Sequence, residues 1–164
     1  MVTTVPASIK HFDRVLHGLA TATPARPGGF EKPFATIART LGKRGIVAVI
    51  SDLYVEPKLL LDSLTELRFR GHDVLVFHIL DSHEVALPEA DARQYQDMES
   101  GVRLPVVHDQ MRGPYADAVN EHRESLHRQL GEQRIDYRFF DTSLPLDHAL
   151  FEYLTERQHR MRVR

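Results

Sequence analysis

Apolar residues along this chain fall into two regimes, stripes spaced three and four apart and short unbroken runs closed by a carboxylate. Phe12, Val15, Leu16 and Leu19 recur at helical spacing and predict a first amphipathic helix, which Thr23-Pro24-Ala25-Arg26-Pro27-Gly28-Gly29 breaks. Phe34, Ile37, Ala38 and Leu41 share one face of a second helix that stops between Gly42 and Gly45, with Lys43 and Arg44 in the cation-favoured last turn. The run Gly45-Ile46-Val47-Ala48-Val49-Ile50-Ser51-Asp52 then predicts a parallel strand covered on both faces, because no polar alternation interrupts it. Glu56-Pro57 opens a third helix, with Leu60, Leu61, Leu64 and Leu67 as its inner stripe until Gly71. A second apolar strand, Asp73 to Leu80, is again closed by a carboxylate, Asp81. Strand, helix, strand is a βαβ unit.

Residues 94 to 107 change character and predict a small hairpin insertion turning near Gly101. Gly113-Pro114 predicts the start of a long helix carrying Tyr115, Ala118, Val119, His122 and Leu126 on one face, with Gly131 as its stop. Ile135 to Phe140 is a third strand, closed by Asp141, and a last helix carries Leu146, Leu150, Phe151 and Leu154. The basic residues from 157 to 164 read as a frayed, solvated helix end. Right-handed crossovers place such strands in one parallel sheet with helices on both faces, a three-layer, Rossmann-like α/β fold. Three strands are few for that fold, and the Ile46 strand is so apolar that it reads as central. One neighbour of it is therefore missing, which leaves an uncovered hydrogen-bonding edge open to self-pairing.

The 164 residues, 42% hydrophobic and 27% charged, suit one globular domain spanning 1–164. A formal net charge of −2 supplies no global field for nucleic acid or anionic membrane. With no cysteine, disulfides, thiolate zinc sites and cysteine nucleophiles are excluded, and a reducing, cytoplasmic setting is the expectation. No apolar stretch approaches a membrane span, and Met1 to Pro6 lacks the layout of a signal peptide.

Asp52, Asp81 and Asp141 each follow a strand, so all three are expected along the C-terminal edge of the sheet, where ligands of such folds sit. With Ser51 they offer the oxygen ligands that Mg²⁺ prefers. The alternative is that aspartate there caps backbone N–H groups, the favoured reading for Asp81 and Asp141, while both stay open for Asp52. Gly28-Gly29 follows a helix and no Gly-Lys-Ser/Thr comes after it, so it reads as a turn. His78 reads as a satisfied core residue, and His122 and His127 point to different sides of one helix. Neither Ser-x-x-Lys nor Gly-x-Ser-x-Gly is present, which argues against covalent catalysis.

The ordered landmarks Lys43 to Leu53, Arg70 to Asp81, Asp97-Met98-Glu99-Ser100-Gly101 and Ile135 to Thr142 resemble the C-terminal part of the bacterial family called domain of unknown function fifty-eight, which is similar to von Willebrand factor A domains. The resemblance implies a Rossmann-like sheet with a metal-ion-dependent adhesion site that binds protein partners, and a link to MoxR-type AAA+ ATPases in assembly or maturation. Of the family's metal ligands only the strand-end aspartate maps here, onto Asp52. There is no Asp-x-Ser-x-Ser, and Phe30-Glu31 stands where a Thr-Asp often follows the glycine pair. The resemblance thus implies a member lacking the first three strands, with Met1 to Lys10 as the end of the third. One carboxylate is too little for an octahedral Mg²⁺ site, so weak or no divalent binding is expected, unless another chain supplies the co-ligands.

The reading that follows is a non-enzymatic interaction module with no cofactor of its own. Its partner is expected to be a MoxR-type ATPase, a completing N-terminal fragment or a second copy. The alternatives are a Mg²⁺-dependent phosphotransfer or hydrolase domain using the strand-end aspartates, and a truncated remnant without independent function.

Overall fold

In the computed structural model, the residues described are 11–23, 31–41, 44–88, 92–96 and 101–162. In chain order the elements are α1 (Phe12–Ala20), α2 (Glu31–Thr40), β1 (Ile46–Ser51), α3 (Pro57–Phe69), β2 (Asp73–Leu80) and α4 (Ser82–Val85). They continue with β3 (Ala92–Gln96), β4 (Arg103–Val107), α5 (His108–Glu132), β5 (Asp136–Asp141) and α6 (Leu146–Arg162). The expected glycine turn at 28–29 and the start of the chain, Met1 to Lys10, lie outside the described residues.

β1, β2 and β5 form a parallel sheet in the order β1-β2-β5, so β2 is central and, among the described residues, β1 is an edge. Side chains alternate across a strand, so this register assigns each residue to a face. On one face Val49 of β1 and Val74 and Val76 of β2 meet Leu60, Leu64 and Leu67 of α3 and Leu126 and Leu130 of α5. Ala38 of α2 completes this core, with Phe34 and Ile37 packed against it. On the opposite face α6 lies over β5 and β2. Tyr153 meets Phe77 edge-on with ring centroids 5.3 Å apart, and Phe77 meets Phe140 in the same way. Arg157 pairs with Asp73 at the start of β2 and, at 2.9 Å, with Asp136 at the start of β5, tying α6 to both strands. The result is the three-layer α/β arrangement expected from the sequence. β3 and β4 form the separate antiparallel hairpin, with Gly101 left-handed at φ 73° before β4.

The βαβ unit is built by local chemistry. The Glu56 carboxylate accepts the Leu59 N–H at 2.9 Å and Pro57 fills the first helical position, so α3 begins where its first N–H groups need a partner. At the far end the Gly71 N–H bonds the Arg68 carbonyl and the His72 N–H bonds the Leu67 carbonyl, the double closure that requires a left-handed residue. Gly71 takes it, at φ 91°.

Several expectations are corrected. β1 is not covered on both faces, since Ile46 and Ile50 are 68% and 66% exposed. The α6 layer stops at β2, and an unbroken apolar run looks the same whether one face or two are covered. The last helix does not bury its leucines, because the sheet selects Tyr153 and Arg157 while Leu146, Leu150, Phe151 and Leu154 stay exposed. Arg157 is thus no solvated tail residue. The long helix starts at His108, ahead of Gly113-Pro114, and accommodates Pro114 within its second turn. Gly131 does not stop it, for the helix runs to Glu132 and the left-handed closing residue is Arg134, at φ 57°. α1 forms as expected, yet none of its residues is buried.

Candidate functional site

The C-terminal edge of the sheet is where the strand-end carboxylates were expected, and all three lie there, each engaged by its own loop. After β1, Ser51 Oγ donates to Asp52 Oδ1 at 3.2 Å and accepts the Leu53 N–H at 3.1 Å, while the Tyr54 N–H reaches Asp52 Oδ1 at 3.4 Å. Leu53 adopts a left-handed backbone, φ 55°, which is costly for a branched residue and persists because its side chain is fully buried. That turn leaves Asp52 exposed at the rim.

Asp81 caps α4. Its carboxylate accepts the His83 N–H at 2.9 Å, and Glu84 reaches back to the Asp81 N–H at 2.8 Å, a reciprocal capping box. The His83 ring lies 2.9 Å from the same oxygen and Thr142 Oγ1 donates to the other at 3.1 Å. The His83 N–H above all, then its ring and the Thr142 hydroxyl, hold the Asp81 carboxyl below the usual carboxylate range. Asp141 accepts from the Ser143 N–H at 2.8 Å and from its hydroxyl at 2.6 Å. The capping reading is therefore the observed one for Asp81 and Asp141, and the Thr142 bridge joins the ends of β2 and β5.

The metal reading can be tested on donor chemistry. The Ser51 hydroxyl hydrogen-bonds the Asp52 carboxylate, and among the described residues no group of three or more His, Cys, Asp or Glu could hold a metal ion. One carboxylate and one hydroxyl fall short of the oxygen ligand set of a Mg²⁺ site, so the described residues alone do not fit one.

Two clusters escaped the sequence. Beside Asp52, the Tyr115 hydroxyl donates to the Glu84 carbonyl at 2.8 Å, and burial, reinforced by Tyr115 and Glu84, pushes the Tyr54 phenol up to about 12. Under α5, His78 is 1% exposed with Nδ1 2.8 Å from the Tyr137 hydroxyl and Nε2 without a hydrogen-bond partner. Burial lowers its pKa to about 4, with His122 and Arg123 adding to the effect and the Asp52 backbone opposing it. The expectation of a core histidine holds, though only one ring nitrogen is satisfied. His122 and His127, expected on different sides of α5, both reach this cluster, His122 against the His78 ring and His127 against Tyr137, because the two target rings are themselves paired across β2 and β5. The sequence signal for this cluster was the single polar residue within an apolar strand; the tyrosine pair, 61 positions apart, had none.

Fold and rim together define a Rossmann-like α/β domain whose strand-end carboxylates cap loops. The family model described as "Protein of unknown function DUF58" matches residues 2–125, and the chain belongs to that family. It is 32% identical over 135 residues to an uncharacterised protein of Mycobacterium avium, covering 79% of each chain. To uncharacterised proteins of Mycobacterium bovis and Mycobacterium tuberculosis it is 31% identical over 136 residues, 79% of this chain and 42% of theirs. The chain thus matches less than half the length of those two relatives. No solved structure matches it.

Proposed function

We propose that this chain is a protein-interaction module that docks partners through the free edge of β1 and performs no catalysis of its own. The supporting observation is the combination of an edge strand with an exposed apolar face, Ile46 and Ile50, and no strand against its outer side among the described residues. Such edges are ordinarily blunted by proline, lysine or a bulge, and the sequence Ile-Val-Ala-Val-Ile-Ser has no such residue. An added strand would gain main-chain hydrogen bonds from the edge and side-chain contacts from the isoleucines. The resemblance to von Willebrand factor A domains favours protein binding as the role and a MoxR-type AAA+ ATPase as a partner to test first. The test is titration of the chain with such an ATPase, followed by light scattering or interferometry. Ile46→Lys and Ile50→Lys, both at exposed positions, are expected to weaken binding at least tenfold without changing the circular dichroism. Binding indifferent to both substitutions, or turnover of a phosphate ester that Asp52→Asn abolishes, overturns the proposal.

A further inference from the structure

The same edge carries enough detail to name an occupant. The Asp73 N–H bonds the Gly45 carbonyl, and in a parallel ladder the residues facing one neighbour alternate with those facing the other. Gly45, Val47, Val49 and Ser51 therefore face β2, and the N–H and C=O groups of Ile46, Ala48 and Ile50 point to the free side. These three residues also carry the exposed side chains of β1. From this geometry we infer that β1 pairs with β1 of a second copy of this chain, antiparallel and in one register, with Ala48 on the two-fold axis. The inference rests on the edge-docking reading and adds that a second copy occupies the edge when no other partner is bound, so that any other edge-docking partner would compete with the dimer.

The parity of the strand restricts the choice. A two-fold axis normal to the sheet keeps each face on its own side, so even-numbered residues must oppose even-numbered ones. With Ala48 opposite Ala48, Ile46 lies opposite Ile50 twice, and the outward amides of all three residues close hydrogen-bonded pairs. Arg44 then lies opposite Asp52 at both ends. Both are exposed, and neither has an ion-pair partner among the described residues. A slip of two residues either way sets an isoleucine against Asp52 or Arg44 and loses both complementarities. The sheet so formed doubles the three strands of one copy, and its two remaining edges are the outer sides of β5.

The absence of native cysteine makes the test clean. Ala48→Cys is expected to form a disulfide-linked dimer under mild oxidation, since directly opposed strand residues lie within disulfide reach, whereas Asp62→Cys on the exposed α3 surface dimerises without becoming disulfide-linked. In parallel, analytical ultracentrifugation of the 164-residue chain should give a concentration-dependent dimer. Arg44→Asp or Asp52→Arg alone should raise its dissociation constant about tenfold, and the two together should restore it. A chain monomeric at every concentration, or a dimer that neither charge reversal weakens and that the Ala48→Cys variant does not cross-link, overturns the inference. In the monomeric case, protection of the Ile46, Ala48 and Ile50 amides from hydrogen exchange by an added partner would leave edge docking intact. An edge unprotected by any partner would overturn both readings.

Discussion

His78 is the residue at which packing and protonation are most tightly linked. Its ring lies in the central strand with one nitrogen on Tyr137 and the other unpartnered, and burial lowers its pKa from 6.5 to about 4. Between those values the unfolded chain takes up a proton that the folded chain refuses. The contribution of the neutral ring is therefore complete above about pH 6.5 and is lost as the pH falls towards 4. Urea unfolding at pH 7 and pH 5 should show a larger loss of stability in the native chain than in His78→Gln, which keeps a polar atom for Tyr137. Equal losses would show that the ring is protonated equally in both states. The sequence placed His78 in the core from its apolar surroundings alone. It could not supply the Tyr137 contact, because that depends on β5 lying beside β2.

At the scale of elements, local chemistry sets where α3 begins and ends, while tertiary packing decides which face α6 buries. Gly71 holds the left-handed closure of α3, and a Cβ there would stand 3.0 Å from Arg44 Nε, at the far end of a flexible side chain. Gly71→Ala is expected to cost about 1–2 kcal/mol, mostly backbone strain, read as a lower midpoint in denaturant with an unchanged slope. The Glu56-Pro57 start and the Gly71 stop were legible because they are written in consecutive residues. The inner face of α6 was not. Its leucines have the right spacing, but the sheet presents Asp73 and Asp136 at one end of the β2-β5 face, and a carboxylate pair there selects Arg157 and with it Tyr153. Pro114 misled in a similar way. Proline suits a first turn, but β4 leads directly into α5 at His108, so Pro114 falls in the second turn and withholds an N–H from the carbonyl of exposed Gln110, where water can replace it.

At the scale of the whole molecule, stability is concentrated between the central strand and the α3–α5 layer and falls away towards both the β1 edge and α1. Helix α1 spans 9 residues and buries none of them, and isolated helices of that length are marginal in water. Val15→Pro is therefore expected to leave the global unfolding free energy within about 0.5 kcal/mol of the native value, while hydrogen exchange ranks β2 slowest and α1 fastest. A large loss of stability on this substitution would mean that α1 packs on the domain. The apolar runs, the βαβ order and the strand-end aspartates were determined by the sequence alone, because runs, caps and turns are local and each acts through its immediate neighbours. Only the tertiary structure decided that β1 lies at an edge with one open face, that Asp81 and Asp141 cap loops, and that His78 meets Tyr137. Each of these depends on which strands sit side by side, and a run of apolar residues reports that it is buried somewhere without reporting against what.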